Sequence, residues 1–121
     1  MRLDNDCIRD IMLYIEDNTT YEKRFIDVDN LVNDLNYDKD TLYYHLSMIS
    51  QANLVDKVNF ADNRPYLISS LSWEGHQYLD NIRNDGVWKT VKEKSSALGS
   101  VSLQILIPLA EAVIKQKLGL S

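Results

Sequence analysis

The sequence is poor in the residues that build disulfide frameworks and flexible linkers. Of its 121 residues, one is cysteine (Cys7), two are proline and four are glycine. A single cysteine excludes an intramolecular disulfide, and Gly99-Ser100 is the one break with the composition of a linker. No apolar run approaches the roughly 20 residues of a bilayer span, and the first residues lack the apolar core of a signal peptide. We therefore expect a cytoplasmic protein without a membrane segment.

Positive charge is also scarce. The chain carries 13 Lys and Arg against 18 Asp and Glu, a formal charge of −5, and residues 1–60 hold most of the acidic excess. Without a general positive field, any contact with nucleic acid has to come from a local basic strip. The apolar fraction of 45% is ordinary for a globular domain with a core of its own.

The patterns that carry enzymatic or metal chemistry are missing as well. There is no glycine-rich phosphate loop, no metal-ligand spacing and no pairing of a nucleophile with a base. Cys7 borders an apolar helical stripe and is interpreted as a buried structural thiol. His76, Asp80 and Arg83 fall at i, i+4 and i+7, which favours a polar network over a metal site, and His45 is also interpreted as structural. We expect no enzyme, cofactor or metal.

The most informative stretch is residues 37–55, which has the pattern of a recognition helix. Leu42, Leu46, Ile49 and Asn53 recur on one helical face and are predicted to point inward, with Asp38 as the N-cap. The opposite face is the candidate surface for reading DNA bases and consists of Tyr44, Ser47, Met48 and Gln51.

Two shorter helices are predicted before it. Residues 5–17 form the first, capped by Asp4, with an apolar stripe made by Ile8, Ile11, Met12 and Ile15. A short strand at residues 25–26 leads into the second helix, residues 28–35, which Asp27 caps. Leu31 and Leu35 are its predicted inward pair, and Asn36 is predicted to end it in the left-handed conformation. The result is a helix-turn-helix.

A β-hairpin is predicted to follow the recognition helix. Residues 54–60 alternate imperfectly between apolar and polar, residues 61–65 have turn composition, and residues 66–68 form the second strand. Lys57, Asn63 and Arg64 on this hairpin are predicted to form a cluster of donors near the recognition helix, and such wings contact phosphates or the minor groove. We include all three in the candidate DNA-binding site.

The last third of the chain is predicted to be helical. Ser72 caps a helix at residues 73–84, in which Gly75 permits close packing. Asp85 and Gly86 are interpreted as a break before a further helix at residues 87–98, whose predicted anchors are Val87, Trp88, Val91 and Leu98. Residues 101–118 are apolar around most of the helix, with Pro108 inside, which predicts burial against a second copy. The predicted oligomerisation residues are Leu103, Leu106, Ile107, Ala110, Val113 and Ile114. Folding back onto the same chain, giving a monomer, is the alternative.

Several motifs together resemble a known family. The segments are residues 44–55, the hairpin, residues 71–83 with Trp-Glu-Gly-His, and a later Trp-Lys-x-x-Lys beginning at Trp88. They resemble an uncharacterised family of small bacterial and phage proteins, a domain of unknown function, and more remotely the winged-helix regulators. The resemblance implies a winged-helix body in mobile elements or their hosts, and it implies no catalytic residue. Many winged-helix proteins have Gly where this chain has Asn53, and Asn can also adopt the left-handed conformation of that turn.

These observations predict an α+β, mainly α fold. It is a winged helix-turn-helix with a β-hairpin wing at residues 1–85 and a helical, oligomerising extension at residues 86–121. The leading functional hypothesis is a DNA-binding, transcription-regulator-like protein acting as a homodimer. The alternative is a phage or prophage protein that uses the same scaffold to bind and inhibit a host protein.

Overall fold

The computed structural model describes residues 1–97 and 101–120, and its first helix is α1, Asn5–Asn18. The carboxylate of Asp4 caps this helix by accepting hydrogen bonds from the backbone amides of Asp6 at 3.0 Å and Cys7 at 3.3 Å. The predicted cap is therefore confirmed. The predicted apolar stripe is also confirmed, because Ile8, Ile11, Met12 and Ile15 are completely buried.

Strand β1 (Phe25–Asp27) leads directly into helix α2 (Val28–Asp34), and helix α3 (Lys39–Gln51) follows. Asp27 and Asp38 occupy the N-cap positions as predicted, but neither carboxylate bonds to the amides of its helix. The prediction that these side chains cap their helices was therefore wrong.

The inner face and the end of α2 also differ from the prediction. Val28 and Leu31 are the completely buried residues, whereas Leu35 is half-buried. Leu35 ends the helix with φ −94° and ψ 142°, and the residues with positive φ lie elsewhere, so Asn36 does not form the predicted left-handed end. With α2 only two turns long, an extended exit carries the chain across to α3.

The predicted inward face of α3 included one residue beyond the end of the helix, Asn53. Its predicted left-handed conformation is confirmed, with φ 59°, but its side chain is exposed and not inward. Because α3 ends at Gln51, position 53 no longer follows the helical period that keeps Leu42, Leu46 and Ile49 buried.

A three-stranded antiparallel sheet contains the predicted hairpin. Strands β2 (Val58–Ala61) and β3 (Arg64–Ser69) pair with each other, and β1 pairs with the other side of β3, giving the order β1-β3-β2. Strand β2 is shorter than predicted, because Leu54 precedes it and Val55 forms a separate bridge to Leu71. The register shifts between Asn59 and Phe60, and Phe60 is 46% exposed although the alternation placed it beside the buried Val58.

Helix α4 (Trp73–Ile82) begins against the chain that leaves α3. The hydroxyl of Ser72 accepts from the amide of Gly75 at 3.0 Å and donates to the carbonyl of Asn53, so Ser72 is the predicted cap. A Cβ on Gly75 would lie 2.0 Å from the carbonyl oxygen of Leu54. The predicted close packing of this glycine is confirmed.

The last two helices are α5 (Asp85–Ser96) and α6 (Leu103–Lys117). Asp85 and Gly86 were interpreted as a break, but they form the first turn of α5, because the side chain of Asn84 caps the amide of Val87 at 3.1 Å. The predicted anchor Leu98 and the predicted linker Gly99-Ser100 lie outside the described residues.

Helix α6 packs on α5, which gives its apolar face a partner within the chain. Four of the six predicted oligomerisation residues are thereby unavailable to a second copy, since Leu103, Leu106, Ala110 and Val113 are at most 9% exposed. The prediction that all six residues need a second copy was therefore wrong. Ile107 and Ile114 are half-buried, and they are the two predicted residues that keep exposed apolar surface for a second copy.

The chain divides into two compact units, residues 2–76 and residues 77–121 with Met1, so the division falls inside α4 and before the predicted boundary at residue 85. The described residues contain six helices and one small sheet, which is an α+β, mainly helical fold. None of the helices in the described ranges is long and apolar enough to cross a bilayer.

Candidate functional site

The outer face of α3 is neutral and only partly exposed. Tyr44, Ser47 and Met48 are half-buried, and Gln51 is exposed at the C-terminal end of the helix. The charged residues of α3 are Lys39 and Asp40, both in its first turn. This face therefore offers a hydroxyl, a thioether, a phenol and an amide, which are neutral groups that contact base edges or phosphate oxygens without adding positive charge.

His45 anchors α3 from its buried side. Its Nε2 accepts a hydrogen bond from the backbone amide of Asp4 at 2.8 Å, and its Nδ1 lies 2.8 Å from the carbonyl oxygen of Thr41. An amide can only donate and a carbonyl can only accept, so the ring is neutral and carries its proton on Nδ1. The predicted structural role of His45 is confirmed, and the ring also supports Tyr44, whose ring packs edge-on at 5.1 Å.

Two tyrosine–carboxylate hydrogen bonds tie α1 to the segments before α3. The hydroxyl of Tyr37 donates to Asp10 at 2.6 Å, and that of Tyr14 donates to Asp34 at 2.7 Å. Burial and the hydrogen bond to Asp34 raise the pKa of Tyr14 to about 12, and burial and Asp10 raise the pKa of Tyr37 further above its usual range. Both phenols therefore remain protonated donors that help to fix α3 in place.

The hairpin ends in a two-residue turn. Asp62 and Asn63 have φ of 53° and 62°, which matches the type I′ turn that connects twisted antiparallel strands. Ala61 and Arg64 pair on either side of it, so Asn63 and Arg64 lie at the tip of the hairpin. Both residues are exposed.

The predicted donors do not form one cluster. Lys57 precedes β2, and its carbonyl accepts from the amide of Ser69 at the base of the hairpin. Four residues of extended chain separate Lys57 from Ala61, about 13 Å at roughly 3.3 Å per residue. Asn63 and Arg64 thus lie together at the tip, with Asp62 beside them, and Lys57 is a separate cation.

The residues tested for metal or acid–base chemistry form ordinary surface interactions. Arg83 pairs with Asp80 at 2.9 Å, and His76 is exposed. No group of three His, Cys, Asp or Glu side chains able to hold a metal ion occurs in the part of the chain that the structure describes. Cys7 is completely buried, and burial, followed by the nearby Asp4 and Asp10, raises its pKa to about 12. Such a thiol is a poor nucleophile.

Sequence reasoning missed a second feature of residues 2–76. A polar cleft lies against β1 and α2 and is lined by residues that the sequence places in a loop, a strand and two helices. The one sign of this cleft in the sequence is the high density of Asp and Asn at positions 27–34. In a helical pattern, polar residues of this kind are expected on the solvent-exposed face and do not indicate a cleft.

Comparison with known proteins places the chain in a family. A family model described as "Hypothetical protein (DUF2513)" matches residues 2–102, and α6 begins directly after them. A Haemophilus influenzae protein described as "Uncharacterized protein" is 36% identical over 86 residues, covering 68% of this chain and 72% of the relative. No solved structure matches the chain. The chain belongs to the DUF2513 family, a domain of unknown function.

Proposed function

We propose that residues 2–76 form a winged helix that binds double-stranded DNA in the cytoplasm, as a transcription-regulator-like protein of bacterial or phage origin. The observation that supports this most is the succession of elements: α1, β1, α2 and α3, followed by the β2–β3 hairpin. In winged helices this order brings a recognition helix and a hairpin tip to the same side of the fold.

In the proposed complex the two parts of the site have separate tasks. Tyr44, Ser47, Met48 and Gln51 face base edges in the major groove, and Gln51 is best exposed to make a bidentate contact with adenine. Arg64 and Asn63 at the hairpin tip bind a phosphate or the adjacent minor groove, and Lys57 binds a second phosphate.

The negative charge of residues 2–76 limits how much phosphate contacts can contribute to the affinity for DNA. This unit has seven Lys and Arg against fourteen Asp and Glu, a formal charge of −7. With only Lys57 and Arg64 as phosphate contacts, the logarithm of the binding constant should fall with the logarithm of salt concentration with a slope of about −2. Binding should therefore be weak but unusually tolerant of salt.

The experiment is a fluorescence-anisotropy titration with random-sequence duplexes over a range of salt concentrations. Arg64→Ala should weaken binding to every sequence alike and reduce the salt slope by about one unit, because one phosphate contact is lost. Gln51→Ala should leave the salt slope unchanged and alter which sequences are selected. Lys89→Ala removes the same charge from an exposed position on α5 and is the matched control. Absence of duplex binding at low salt, or an equal effect of Lys89→Ala, would contradict the proposal.

The charge of −7 favours a second candidate, a phage or prophage protein that binds and inhibits a host protein through the same scaffold. An acidic surface repels DNA but complements the basic surfaces of proteins that themselves bind nucleic acids. Failure of the anisotropy titration together with salt-sensitive binding to a basic protein would favour this candidate.

The proposal includes a homodimer formed through α6 and the residues after it. This segment leaves Ile105, Leu118 and Leu120 between 56% and 65% exposed, and a second copy would remove that apolar surface from water. Light scattering should give the mass of a dimer, and Ile105→Lys should shift the protein toward the monomer. Lys115→Ala on the same helix is the control, because its partner is Glu111 within α6. A wild-type monomer at high concentration would overturn the dimer without affecting the DNA proposal.

A further inference from the structure

A cleft of about 280 Å³ lies on residues 2–76, away from the residues proposed to bind DNA. Its walls come from the end of α1, the loop before β1, the whole of β1, and α2. This volume is just below the lower end of typical ligand pockets, about 300 Å³, so the cleft suits only a small ligand. Its lining combines several oxygen acceptors, one cation and an apolar side.

Asp27 contributes a carboxylate that the fold does not use. It occupies the N-cap position of α2, where an aspartate normally accepts from backbone amides, yet it makes no such bond. The side chain lines the cleft and is exposed to solvent. Asp27 therefore presents to the cleft a carboxylate that does not cap its own helix.

Asp34 contributes a second carboxylate, held in a fixed orientation. One of its oxygens accepts from the Tyr14 hydroxyl at 2.7 Å, which leaves the other oxygen able to accept from a ligand. Tyr14 lines the cleft too, and its raised pKa keeps the phenol protonated as the donor that orients Asp34.

The remaining polar groups increase the excess of acceptors. The side-chain nitrogen of Asn18 donates to the carbonyl of Tyr14 at 2.9 Å, which leaves its amide oxygen as an acceptor, and Asn30 adds a second amide. Lys23 supplies the one cation of the lining. Two carboxylates against one ammonium give the cleft a net charge of −1, which favours a ligand that is positive and rich in N–H donors.

The floor of the cleft is apolar. Ile26 on β1 is 4% exposed and Leu67 on the adjacent strand β3 is half-buried, and the two strands pair around these residues. We propose that this cleft binds a small organic cation, a primary amine or guanidinium compound, whose N–H groups donate to Asp27 and Asp34 and whose carbon chain lies on Ile26 and Leu67.

Isothermal titration calorimetry with agmatine, which carries an ammonium at one end and a guanidinium at the other, tests the proposal. Agmatine should bind saturably, and glutarate, a dianion of similar length, should not. Asp27→Asn should weaken agmatine binding by about tenfold, since a charge-assisted hydrogen bond is lost. Asp29→Asn removes the same charge from an exposed position on α2 outside the cleft and should change the affinity by less than about twofold.

A gain-of-binding variant makes the test independent of losses in stability. Asn30→Asp adds a third carboxylate and should tighten agmatine binding severalfold, with the far-UV circular dichroism unchanged. No saturable binding by about 10 mM would overturn the proposal. So would equal effects of Asp27→Asn and Asp29→Asn, or Mg²⁺ binding that competes with agmatine and is lost in Asp27→Asn, which would identify the cleft as a cation site of another kind.

Discussion

Gly75→Ala is expected to destabilise the protein by several kcal/mol. An added Cβ would lie 2.0 Å from the carbonyl oxygen, 2.9 Å from the carbonyl carbon and 3.3 Å from the Cα of Leu54. All three are backbone atoms, so no side chain can move aside. The start of α4 would have to withdraw, which breaks the hydrogen bonds from Ser72 to Leu54 and to Asn53.

The expected loss is more than about 4 kcal/mol, because overpacking and broken buried hydrogen bonds act together. Domains of this size have a total stability of about 5–15 kcal/mol, so the variant should melt at a much lower temperature and unfold at a lower urea concentration. Urea denaturation followed by circular dichroism measures the difference.

Gly86→Ala is the matched control for this prediction. Gly86 also lies in a helix, but a Cβ there would meet only the side-chain oxygen of Asn84, at 3.2 Å. The gain in helix propensity of up to about 1 kcal/mol should offset that contact, leaving stability within about 1 kcal/mol of the native value. A Gly75→Ala protein as stable as Gly86→Ala would show that α4 does not pack on Leu54 in this way.

Raising the pH above 9 is expected to destabilise the fold through Cys7. Burial, with Asp4 and Asp10 adding to it, raises the pKa of this thiol from 9.0 to about 12. The unfolded chain therefore releases the proton first, so the stabilisation is fully present below pH 9 and is lost as the pH rises toward 12. The free energy of unfolding should fall by about 1.4 kcal/mol per pH unit in this interval, about 4 kcal/mol in all.

Tyr14 adds to the same effect at higher pH. Its pKa rises from 10.0 to about 12, so its contribution is lost as the pH increases above 10. Urea denaturation between about pH 8 and pH 11 should show a steeper fall for the native protein than for Cys7→Ala below pH 10, and a flatter curve for Tyr14→Phe above it. Native and Cys7→Ala curves of equal slope would contradict the buried, protonated thiol.

Local signals predicted most of the elements. Asp4 and Ser72 were identified as caps because each is a short polar side chain directly before an apolar helical period, which is the typical N-cap signal. Both side chains cap their helices in the structure. Asn53 was identified as left-handed and Gly75 as a packing glycine for equally local reasons.

Local signals failed at Asp27 and Asp38, which do not cap their helices, and the other errors came from partners distant in sequence. The apolar face of α6 packs on α5, so much of it needs no second copy. The apolar period of α6 alone does not show that α5 covers it. His45 bonds to Asp4, forty-one residues away, and to Thr41, one helical turn away. Only the bond to Thr41 follows from the helical spacing, so only that one could be predicted from the sequence. The cleft on β1 and α2 joins three segments and could not be read from any one of them.

Nuclear magnetic resonance of the isotope-labelled protein, titrated with a duplex at low salt, tests the central claim most directly. If residues 2–76 bind DNA as proposed, the backbone amides of Ser47, Gln51, Asn63 and Arg64 should shift together and saturate with one affinity. The amide of Asp29, which lies on α2, should not move. Shifts confined to residues outside α3 and the hairpin, or no shifts at all, would contradict the claim that this face of the fold binds DNA.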